Sequence, residues 1–202
     1  DGNTELGFLG GMAVPAVVRF GYGFVEGAEY AAKELNLGDG SVTISYHYTG
    51  GFAATPEAQT MAASWYNDGV EVIFACGGAV GNSAMAAAEA AGKKVIGVDV
   101  DQSGESATVI TSATKGLKAS VYDCIKAYYD GSFPGGQTLV FGADNDGVGL
   151  PMDTSKFETF SQADYEAIYT ELAAGNITLK TDTDVTSATE LGTTAAVVTI
   201  FE

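Results

Sequence analysis

Two aspartates, Asp99 and Asp101, close an apolar run that reads KKVIGVDVDQ. Acids so placed could hold a metal ion, exchange a proton, accept hydrogen bonds from a sugar, or cap a helix. A metal site needs more ligands than this pair supplies, and the one histidine, His47, falls inside a predicted strand. Glycoside hydrolysis would also need a carboxylate pair, but nothing else in the sequence supports it. A carboxylate accepts hydrogen bonds from two vicinal hydroxyls, so diol recognition is favoured, with Asp99 as the ligand contact and Asp101 shaping the loop.

The most glycine-dense stretch, ACGGAVGNS, follows the third predicted strand. Gly77, Gly78 and Gly81 would let the backbone approach a ligand closely, and the next helix would offer free N–H groups to an oxygen-rich partner. The pattern differs from the G-x-G-x-x-G fingerprint at one position, because Cys76 stands where the first glycine would be. Two interpretations stay open: a turn that needs small residues for steric reasons, or a dinucleotide-binding turn with Asp99 on the ribose.

Three further side chains are expected at the same edge of the protein. Lys115 follows the fifth predicted strand in TSATKG, and would lie near Asp99 if the fourth and fifth strands are neighbours. It would then donate to ligand oxygens or keep Asp99 ionised; the alternative is an ordinary lysine in the first turn of a helix. Met12 and Phe52, in the first two loops, could supply apolar surface for a ring, or could be buried in the core.

The elements that must position these residues alternate between strands and helices. Periodicity, proline and capping signals predict strands over 6–10, 42–48, 70–75, 94–99, 107–112, 137–143 and 195–202, and helices over 15–35, 56–67, 81–91, 115–130 and 162–174. Repeated βα units with right-handed crossovers predict an α/β fold, a doubly wound parallel sheet with helices on both faces. In such sheets ligands bind beyond the carboxyl ends of the strands, where the candidate residues fall.

Composition narrows the class of partner. The 202 residues are 46% apolar and 17% charged, so a packed core is expected. The net charge of -17 argues against nucleic acid and anionic membranes as partners, because both need a cationic face. No apolar run approaches the length of a membrane span. Cys76 and Cys124 are too few for a disulfide scaffold or a C-x-x-C zinc site, and no cofactor is implied.

Six motifs follow one another along the chain: LGFLGGMAVPAVVRFGYGFVEGAEYA, YHYTGGF, DGVEVIFACGGAVGNS, VIGVDVDQ, VITSATKGLKASVYDCIKAYYDG and DGVGL. Together they resemble the basic membrane protein family, substrate-binding lipoproteins of ABC transporters that include the purine nucleoside receptor. The resemblance implies a type I periplasmic-binding-protein fold, in which the ligand lies in the cleft between two α/β lobes. It also implies that Asp99 holds the ribose hydroxyls of a nucleoside, that Lys115 lines the same pocket, and that Gly77 and Gly78 lie against the ligand.

The resemblance further implies that part of the fold is absent from this chain. In the family a first lobe precedes the GFxGG strand, which here begins at residue 6. Residues 1–142 are then expected to form the second α/β lobe, and residues 143–202 the hinge return, the C-terminal helix and a terminal strand. The first lobe would add further binding groups to the cleft, and we expect it to be a partner that this chain does not contain.

The function that the resemblance implies is capture without chemistry. The chain would belong to an extracytoplasmic solute-binding protein, a cell-surface lipoprotein or a periplasmic protein. It would deliver a nucleoside, with a purine nucleoside favoured, to an ABC transporter permease. It would be no enzyme, and it would touch the membrane only through a lipid anchor on the absent N-terminal part. Two alternatives stay open: a receptor of the same fold for a sugar or autoinducer-like ligand, and an enzyme that binds NAD through residues 76–81.

Overall fold

The computed structural model describes residues 3–202, and within that range the chain forms one seven-stranded sheet with five α-helices. The strands are β1 (Thr4–Gly10), β2 (Val42–Tyr48), β3 (Val72–Cys76), β4 (Lys94–Asp99), β5 (Val109–Lys115), β6 (Val148–Gly149) and β7 (Ala196–Ile200). The helices are α1 (Pro15–Glu34), α2 (Pro56–Asn67), α3 (Val80–Ala91), α4 (Leu117–Tyr129) and α5 (Gln162–Ala173). Among the described residues, no helix combines the length and the apolar character that crossing a membrane requires.

The sheet has the strand order β6-β5-β4-β3-β1-β2-β7, and every neighbouring pair is parallel except β5 with β6. The predicted doubly wound α/β fold is therefore confirmed. After β2 the chain crosses over β1 and adds β3 on its other side, so the direction of strand addition reverses between β1 and β3. Open α/β sheets bind ligands at such a reversal, outside the carboxyl ends of the strands.

Strand alternation divides the core into two layers, one on each face of the sheet. On one face α1 covers a cluster that includes Phe8, Tyr46 and Phe74. On the other face α2 and α3 cover a cluster that includes Leu9 and Ile73. Successive residues of one strand, such as Phe8 and Leu9, thus lie in different layers, and this decides which face a site residue can reach.

Local signals set the helix boundaries much as the sequence predicts. Helix α1 begins at Pro15, where the missing N–H of proline costs nothing. The hydroxyl of Thr55 accepts a hydrogen bond from Ala58 N at 3.1 Å, and Pro56 opens α2. Helix α3 ends at Ala91 and is followed by Gly92, whose φ of 66° is the left-handed conformation that closes many helices.

One predicted strand does not form. The strand predicted over 137–143 is wrong, because the described residues 137–142 adopt no regular element and Ala143–Asn145 is a 3-10 turn. The free edge of β5 is taken instead by β6, which pairs antiparallel with Thr114 and Lys115. A strand without a neighbour leaves its backbone N–H and C=O groups unpaired. The apolar composition of this segment suits a strand, but composition does not supply the neighbour.

The fifth strand is longer than predicted, and this changes the position of Lys115. β5 runs to Lys115, and α4 begins only at Leu117. Between them Gly116 N donates to Gly147 O at 2.8 Å, which extends the contact with the β6 segment. Lys115 is thus a strand-end residue, and the alternative of a lysine in the first turn of a helix is wrong.

Helix α4 lies outside both core layers. None of its 13 residues, all of them within the described range, is buried. The apolar side chains that it exposes are Leu117, Val121, Tyr122, Ile125, Tyr128 and Tyr129.

Helix α5 is joined to the β6 segment by two hydrogen bonds. Leu150 N donates to the Tyr165 hydroxyl, and the Tyr169 hydroxyl donates to Val148 O.

The segment after α5 completes the opposite edge of the sheet. All five residues of β7 pair in parallel with β2. Beyond β7, Phe201 N donates to Tyr46 O at 2.8 Å, and His47 Nδ1 lies 2.8 Å from Phe201 O. His47 is therefore a partly exposed, structural residue at this edge. The predicted units 1–142 and 143–202 contribute strands to the same sheet, and their division stays a prediction.

Glu29 of α1 binds the backbone at the start of β7. Its Oε2 accepts hydrogen bonds from the N–H groups of Thr194, Ala195 and Ala196 at 3.1, 2.8 and 2.8 Å, and Lys33 Nζ lies 2.8 Å from Oε1. Burial by itself would raise the pKa of Glu29, but the bonds from Lys33, Ala196 and Thr194 outweigh it and lower the pKa to about 2. The ionised carboxylate therefore ties α1 to the edge of the sheet.

We expect Glu29→Gln to lower the free energy of unfolding at neutral pH by up to roughly 3 kcal/mol. This is the free energy that corresponds to a pKa of about 2 in the folded state and an ordinary pKa of 4.5 in the unfolded state. Because the pKa is depressed in the folded state, this stability is fully present above pH 4.5 and is lost as the pH falls towards 2. Urea unfolding from neutral to acid pH should show the gap between wild type and variant closing below pH 4.5. Glu34→Gln, exposed on the same helix, is the control and should match the wild type. A gap that does not change with pH would contradict the role of the ionised carboxylate.

Candidate functional site

Three loops meet in one layer at the carboxyl ends of β1, β2 and β3. Gly11 N donates to Cys76 O at 3.0 Å, which joins the first loop to the third strand. Gly50 N donates to Gly11 O at 2.8 Å, and Ala79 N donates to Phe52 O at 3.0 Å, which joins the second loop to the other two. The layer lies at the reversal of strand order between β1 and β3, so the fold brings predicted site residues from separate loops to one edge.

Gly77 and Gly78 are glycines for steric reasons. A Cβ on Gly77 would lie 2.9 Å from Gly11 N and 3.0 Å from the Cβ of Val80, closer than such atoms pack. Gly78 has a φ of 57°, in the left-handed region that glycine adopts without penalty. The turn therefore packs directly against the Gly11 loop, and its contact with a ligand stays a prediction.

The N–H groups at the start of α3 are already engaged. Those of residues 80–82 donate to the carbonyl groups of residues 77–79 at 3.0–3.1 Å. The N–H of Ala79 is taken by Phe52 O. A phosphate-binding turn needs free donors at this position. The geometry thus favours the interpretation of a close-packed turn over that of a dinucleotide-binding turn.

Met12 and Phe52 present apolar surface at this edge. Met12 is 40% exposed and Phe52 is 42% exposed. The ring of Phe52 lies against Gly11, where it fills the space that a side chain at residue 11 would need. The alternative that both residues belong to the core is wrong. Their exposed surfaces are available to a flat, apolar group of a ligand.

Asp99 ends β4 in an unusual backbone conformation. Its φ is 70°, and Val100 N donates to Val98 O at 2.8 Å, which makes Asp99 the centre of a γ-turn. Aspartate is among the few residues besides glycine that tolerate positive φ, although backbone strain of this kind costs about 1–3 kcal/mol. Such strain persists only where the surroundings enforce it, and it is concentrated at functional sites. The conformation of Asp99 is therefore an independent indication of a site.

Asp99 and Lys115 form an ion pair across neighbouring strands. β4 and β5 pair in parallel, and Lys115 Nζ lies 2.6 Å from Asp99 Oδ1. The predicted proximity is confirmed, while the contact of either residue with a ligand stays a prediction. Oδ1 is buried and receives no well-aligned hydrogen bond from the described residues, because the ammonium is close but poorly directed. The Asp99 side chain is nevertheless 42% exposed, so its accessible surface lies on atoms other than Oδ1.

The thiol of Cys76, at the end of β3, is influenced by both charges of this pair. Cys76 is buried, and burial raises the pKa of its thiol to about 12, an effect that Lys115 opposes and Asp99 reinforces. A thiol with this pKa is protonated at neutral pH and is a poor nucleophile. Both Cys76 and the half-buried Cys124 are free thiols.

Asp101 turns away from Asp99 and shapes the loop that follows. Its Oδ1 accepts a hydrogen bond from Ser103 N at 2.9 Å, and its Oδ2 accepts one from the Thr154 hydroxyl at 2.7 Å. These two bonds, the first above all, lower the pKa of Asp101. The two aspartates do not converge, and Asp101 shapes the loop as expected, while the ligand contact of Asp99 stays a prediction.

Gln102 holds the Asp99 turn in place, and the sequence pattern did not single it out. Its Oε1 accepts a hydrogen bond from Val98 N at 2.8 Å, and its own N donates to Ser112 Oγ at 3.0 Å. Gly97 leaves the room for this, because a Cβ there would lie 2.6 Å from Gln102 Oε1. The only sequence signal that could have indicated this role is the position of Gln102 at the end of the VIGVDVDQ motif. A polar residue beside two acids is read as part of a solvated loop, yet Gln102 is buried.

The candidate site is an open edge rather than an enclosed cavity. Two surface pockets among the described residues, of about 440 and 430 Å³, lie away from the ion pair and the glycine turn. One lies between α2 and Phe201, and the other beside Asp101 and the start of α5. Because small ligands are usually enclosed over most of their surface, this edge would need a second surface to cover a ligand.

A family model described as "ABC transporter substrate-binding protein PnrA-like" matches residues 3–177. This range contains β1–β6, α1–α5 and every candidate residue of the site. Strand β7 lies beyond it.

Curated relatives extend the match. The chain is 30% identical over 173 residues to the ABC transporter nucleoside-binding protein BmpA of Lactococcus lactis subsp. cremoris, which covers 77% of this chain and 47% of that protein. It is 32% identical over 162 residues to basic membrane protein D of Borreliella burgdorferi, with 78% and 46% covered. It is 34% identical over 164 residues to the CD4+ T-cell-stimulating antigen of Listeria monocytogenes, with 73% and 44% covered. The chain thus spans about half the length of the curated relatives it matches.

Solved structures share the fold. A solute-binding protein of an ABC transporter system from Aeropyrum pernix K1 superimposes with a TM-score of 0.72 at 23% identity, over 92% of this chain and 60% of that one. Its counterpart from Conexibacter woesei gives 0.64 at 24% identity, over 89% and 58%. These likenesses concern the fold, whereas the family match and the curated relatives concern the sequence itself. The chain therefore belongs to the PnrA-like, or basic membrane protein, family of ABC transporter substrate-binding proteins.

Proposed function

We propose that this chain is one lobe of an extracytoplasmic binding protein that captures a nucleoside, specifically a purine nucleoside, for uptake by an ABC transporter. The observation that carries the proposal is the Asp99–Lys115 ion pair, held at 2.6 Å at the carboxyl edge of the sheet. Family membership supports the transport role. The name of the Lactococcus lactis relative supports a nucleoside as the ligand.

The ion pair suits a neutral ligand that is rich in hydroxyl groups. A carboxylate can accept hydrogen bonds from two vicinal hydroxyls, and a neighbouring ammonium can donate to ligand oxygens, which together complement a ribose. The two charges of the pair cancel, while the chain as a whole carries a net charge of -17. A phosphorylated ligand would be repelled by that charge. The electrostatics therefore favour a nucleoside over a nucleotide.

The apolar surface of Met12 and Phe52 favours a ligand that carries a base. Aromatic side chains stack on the faces of bases, a contact worth about 1–3 kcal/mol in nucleic-acid complexes. A free sugar would leave both exposed side chains in water, whereas a purine would cover them. For this reason we place a sugar or an autoinducer-like ligand second.

A second surface completes the proposed site. The edge is open, and the chain spans about half the length of its curated relatives. In the proposal another lobe, absent from this chain, closes over the ligand by hinge motion, and a permease then receives the ligand. The protein would work outside the cytoplasm, as a cell-surface lipoprotein or in the periplasm.

We propose binding without catalysis. The Cys76 thiol is protonated at neutral pH, and His47 contacts Phe201 O rather than a site residue. The donors at the start of α3 are engaged within the chain. These features count against the alternative of an enzyme that binds NAD through residues 76–81.

NMR titration of the ¹⁵N-labelled chain tests the proposal. Inosine and guanosine are expected to shift the amide resonances of Gly77, Gly78 and Lys115. 2′-Deoxyinosine should bind at least about tenfold more weakly, because a hydrogen bond to a charged group contributes about 1.5–3 kcal/mol. Millimolar ligand concentrations suit a site that has one lobe only.

Three outcomes would contradict the nucleoside assignment. Ribose that binds as well as inosine would favour the sugar receptor. Shifts with NAD but none with inosine would favour the enzyme. The absence of any response to millimolar inosine would contradict ligand binding at this edge.

A further inference from the structure

The ammonium of Lys115 is held between a carboxylate and an aromatic ring. Lys115 Nζ lies 2.6 Å from Asp99 Oδ1 and 5.2 Å from the centroid of the Phe20 ring. A cation within about 6 Å of a ring centroid is attracted by the negative face of the ring. Three elements, β4, β5 and α1, therefore supply one group each to this contact.

The Phe20 ring is itself fixed by the core. It packs edge-on against Phe74, with the ring centroids 6.1 Å apart and the planes at 72°. Phe74 is buried in β3, beneath α1. The adjacent Gly21 lets α1 approach the sheet closely, because a side chain there would overlap Phe8 and Tyr46. Phe20 thus packs against the core from α1.

The ion pair alone does not fix the direction of the lysine. Lys115 has a long, flexible side chain that remains 30% exposed, and its ammonium makes no well-aligned hydrogen bond to Asp99 Oδ1. Without a second contact the ammonium could rotate towards solvent, because lysine has many accessible rotamers. The Phe20 ring supplies that second contact from the core side.

We propose that Phe20 is a positioning residue of the ligand site, which acts through Lys115. The ring holds the ammonium against Asp99 Oδ1, so that Oδ2 faces the ligand and the N–H groups of the lysine stay directed at the same edge. This inference rests on the proposed function for its effect on binding. The position of the ammonium itself can be tested without a ligand.

The ligand-free test measures the NMR resonances of the Lys115 Cε–H group. A ring close beneath this group shifts them upfield, and Phe20→Leu should move them back towards the values of an exposed lysine. Phe24→Leu is the matched control, because Phe24 also lies on α1 and packs against Phe74, with ring centroids 5.5 Å apart. Lys115 resonances that are unshifted in the wild type, or that respond equally to both variants, would overturn the inference.

The binding test uses inosine. Phe20→Leu is expected to weaken binding about three- to tenfold, Phe24→Leu to leave it unchanged, and Phe20→Tyr, which keeps a ring under the ammonium, to recover most of the loss. In a Lys115→Met background Phe20→Leu should cost nothing further, because its effect passes through the lysine. An equal loss in that background would overturn the positioning role. If the wild type shows the upfield shift but binds no inosine, the proposed function fails and the position of the ammonium stands.

Discussion

Inosine should bind the Asp99→Asn variant about ten to a hundred times more weakly than it binds the wild-type chain. Asparagine has nearly the same shape as aspartate and tolerates the φ of 70° found at this position, so the γ-turn should survive. It lacks the negative charge, and each hydrogen bond from a ribose hydroxyl would lose the part of its strength that the charge supplies. Alanine is the poorer choice, because its side chain disfavours positive φ and would add backbone strain to the measurement. Titration by calorimetry or NMR measures the effect.

Asp101→Asn is the control for this prediction. Asp101 lies two residues further on and accepts hydrogen bonds from Ser103 N and the Thr154 hydroxyl, which an amide oxygen can also accept. The Asp101→Asn variant should bind inosine as tightly as the wild type, and thermal unfolding should show that both variants are folded. If the Asp99→Asn variant binds inosine as tightly as the Asp101→Asn variant, Asp99 does not contact the ribose.

Gly77→Ala should lower the free energy of unfolding by about 1–3 kcal/mol, the usual cost of an added methyl in a close-packed region. The new Cβ would lie 2.9 Å from Gly11 N and 3.0 Å from Val80 Cβ, and neither neighbour is the flexible end of a side chain. Relief requires the Gly11 loop to move, and this loop carries Met12. We therefore expect weaker inosine binding as well, with stability measured by urea unfolding and binding by NMR titration.

Two other glycines of the same edge separate the causes. At Gly51 nothing among the described residues lies within 4 Å of an added Cβ, so Gly51→Ala should be neutral. At Gly78 the nearest neighbour would be 3.5 Å away, but the φ of 57° should cost alanine about 1 kcal/mol. Equal stability of Gly77→Ala and Gly51→Ala would show that close packing is not what keeps residue 77 a glycine.

Local signals made much of the fold predictable. The bounds of β2 and α2 agree with the prediction, because a capping threonine, prolines and strand alternation all act within a few residues. The strand predicted over 137–143 failed for a non-local reason: β6 occupies the edge of β5 that this segment would have needed. Pairing with β4 through Thr114 and with β6 through Lys115 carries β5 past its predicted end, so Lys115 ends a strand instead of beginning a helix.

The candidate site was predictable where its residues follow strands. Asp99 and Lys115 both end strands, so adjacent strands were enough to bring them together. Gln102 and Phe20 act through contacts that no spacing reveals. Gln102 reaches back across a turn to Val98 N, and the Phe20 ring of α1 meets the long side chain of Lys115 from the end of β5. Residues that support a site from another element have no pattern of their own in the sequence.

The pairing of β7 with β2 has a consequence for how this chain folds. His47 and Phe201, which meet at this edge, are 154 residues apart, whereas one short loop joins β4 to β5. Contacts so distant along the chain carry a larger loop-closure entropy, and they slow folding. We therefore expect the central strands to assemble first and β7 to dock late. Until it docks, the edge of β2 is an open template for pairing with another chain, so aggregation during refolding should fall once β7 is in place.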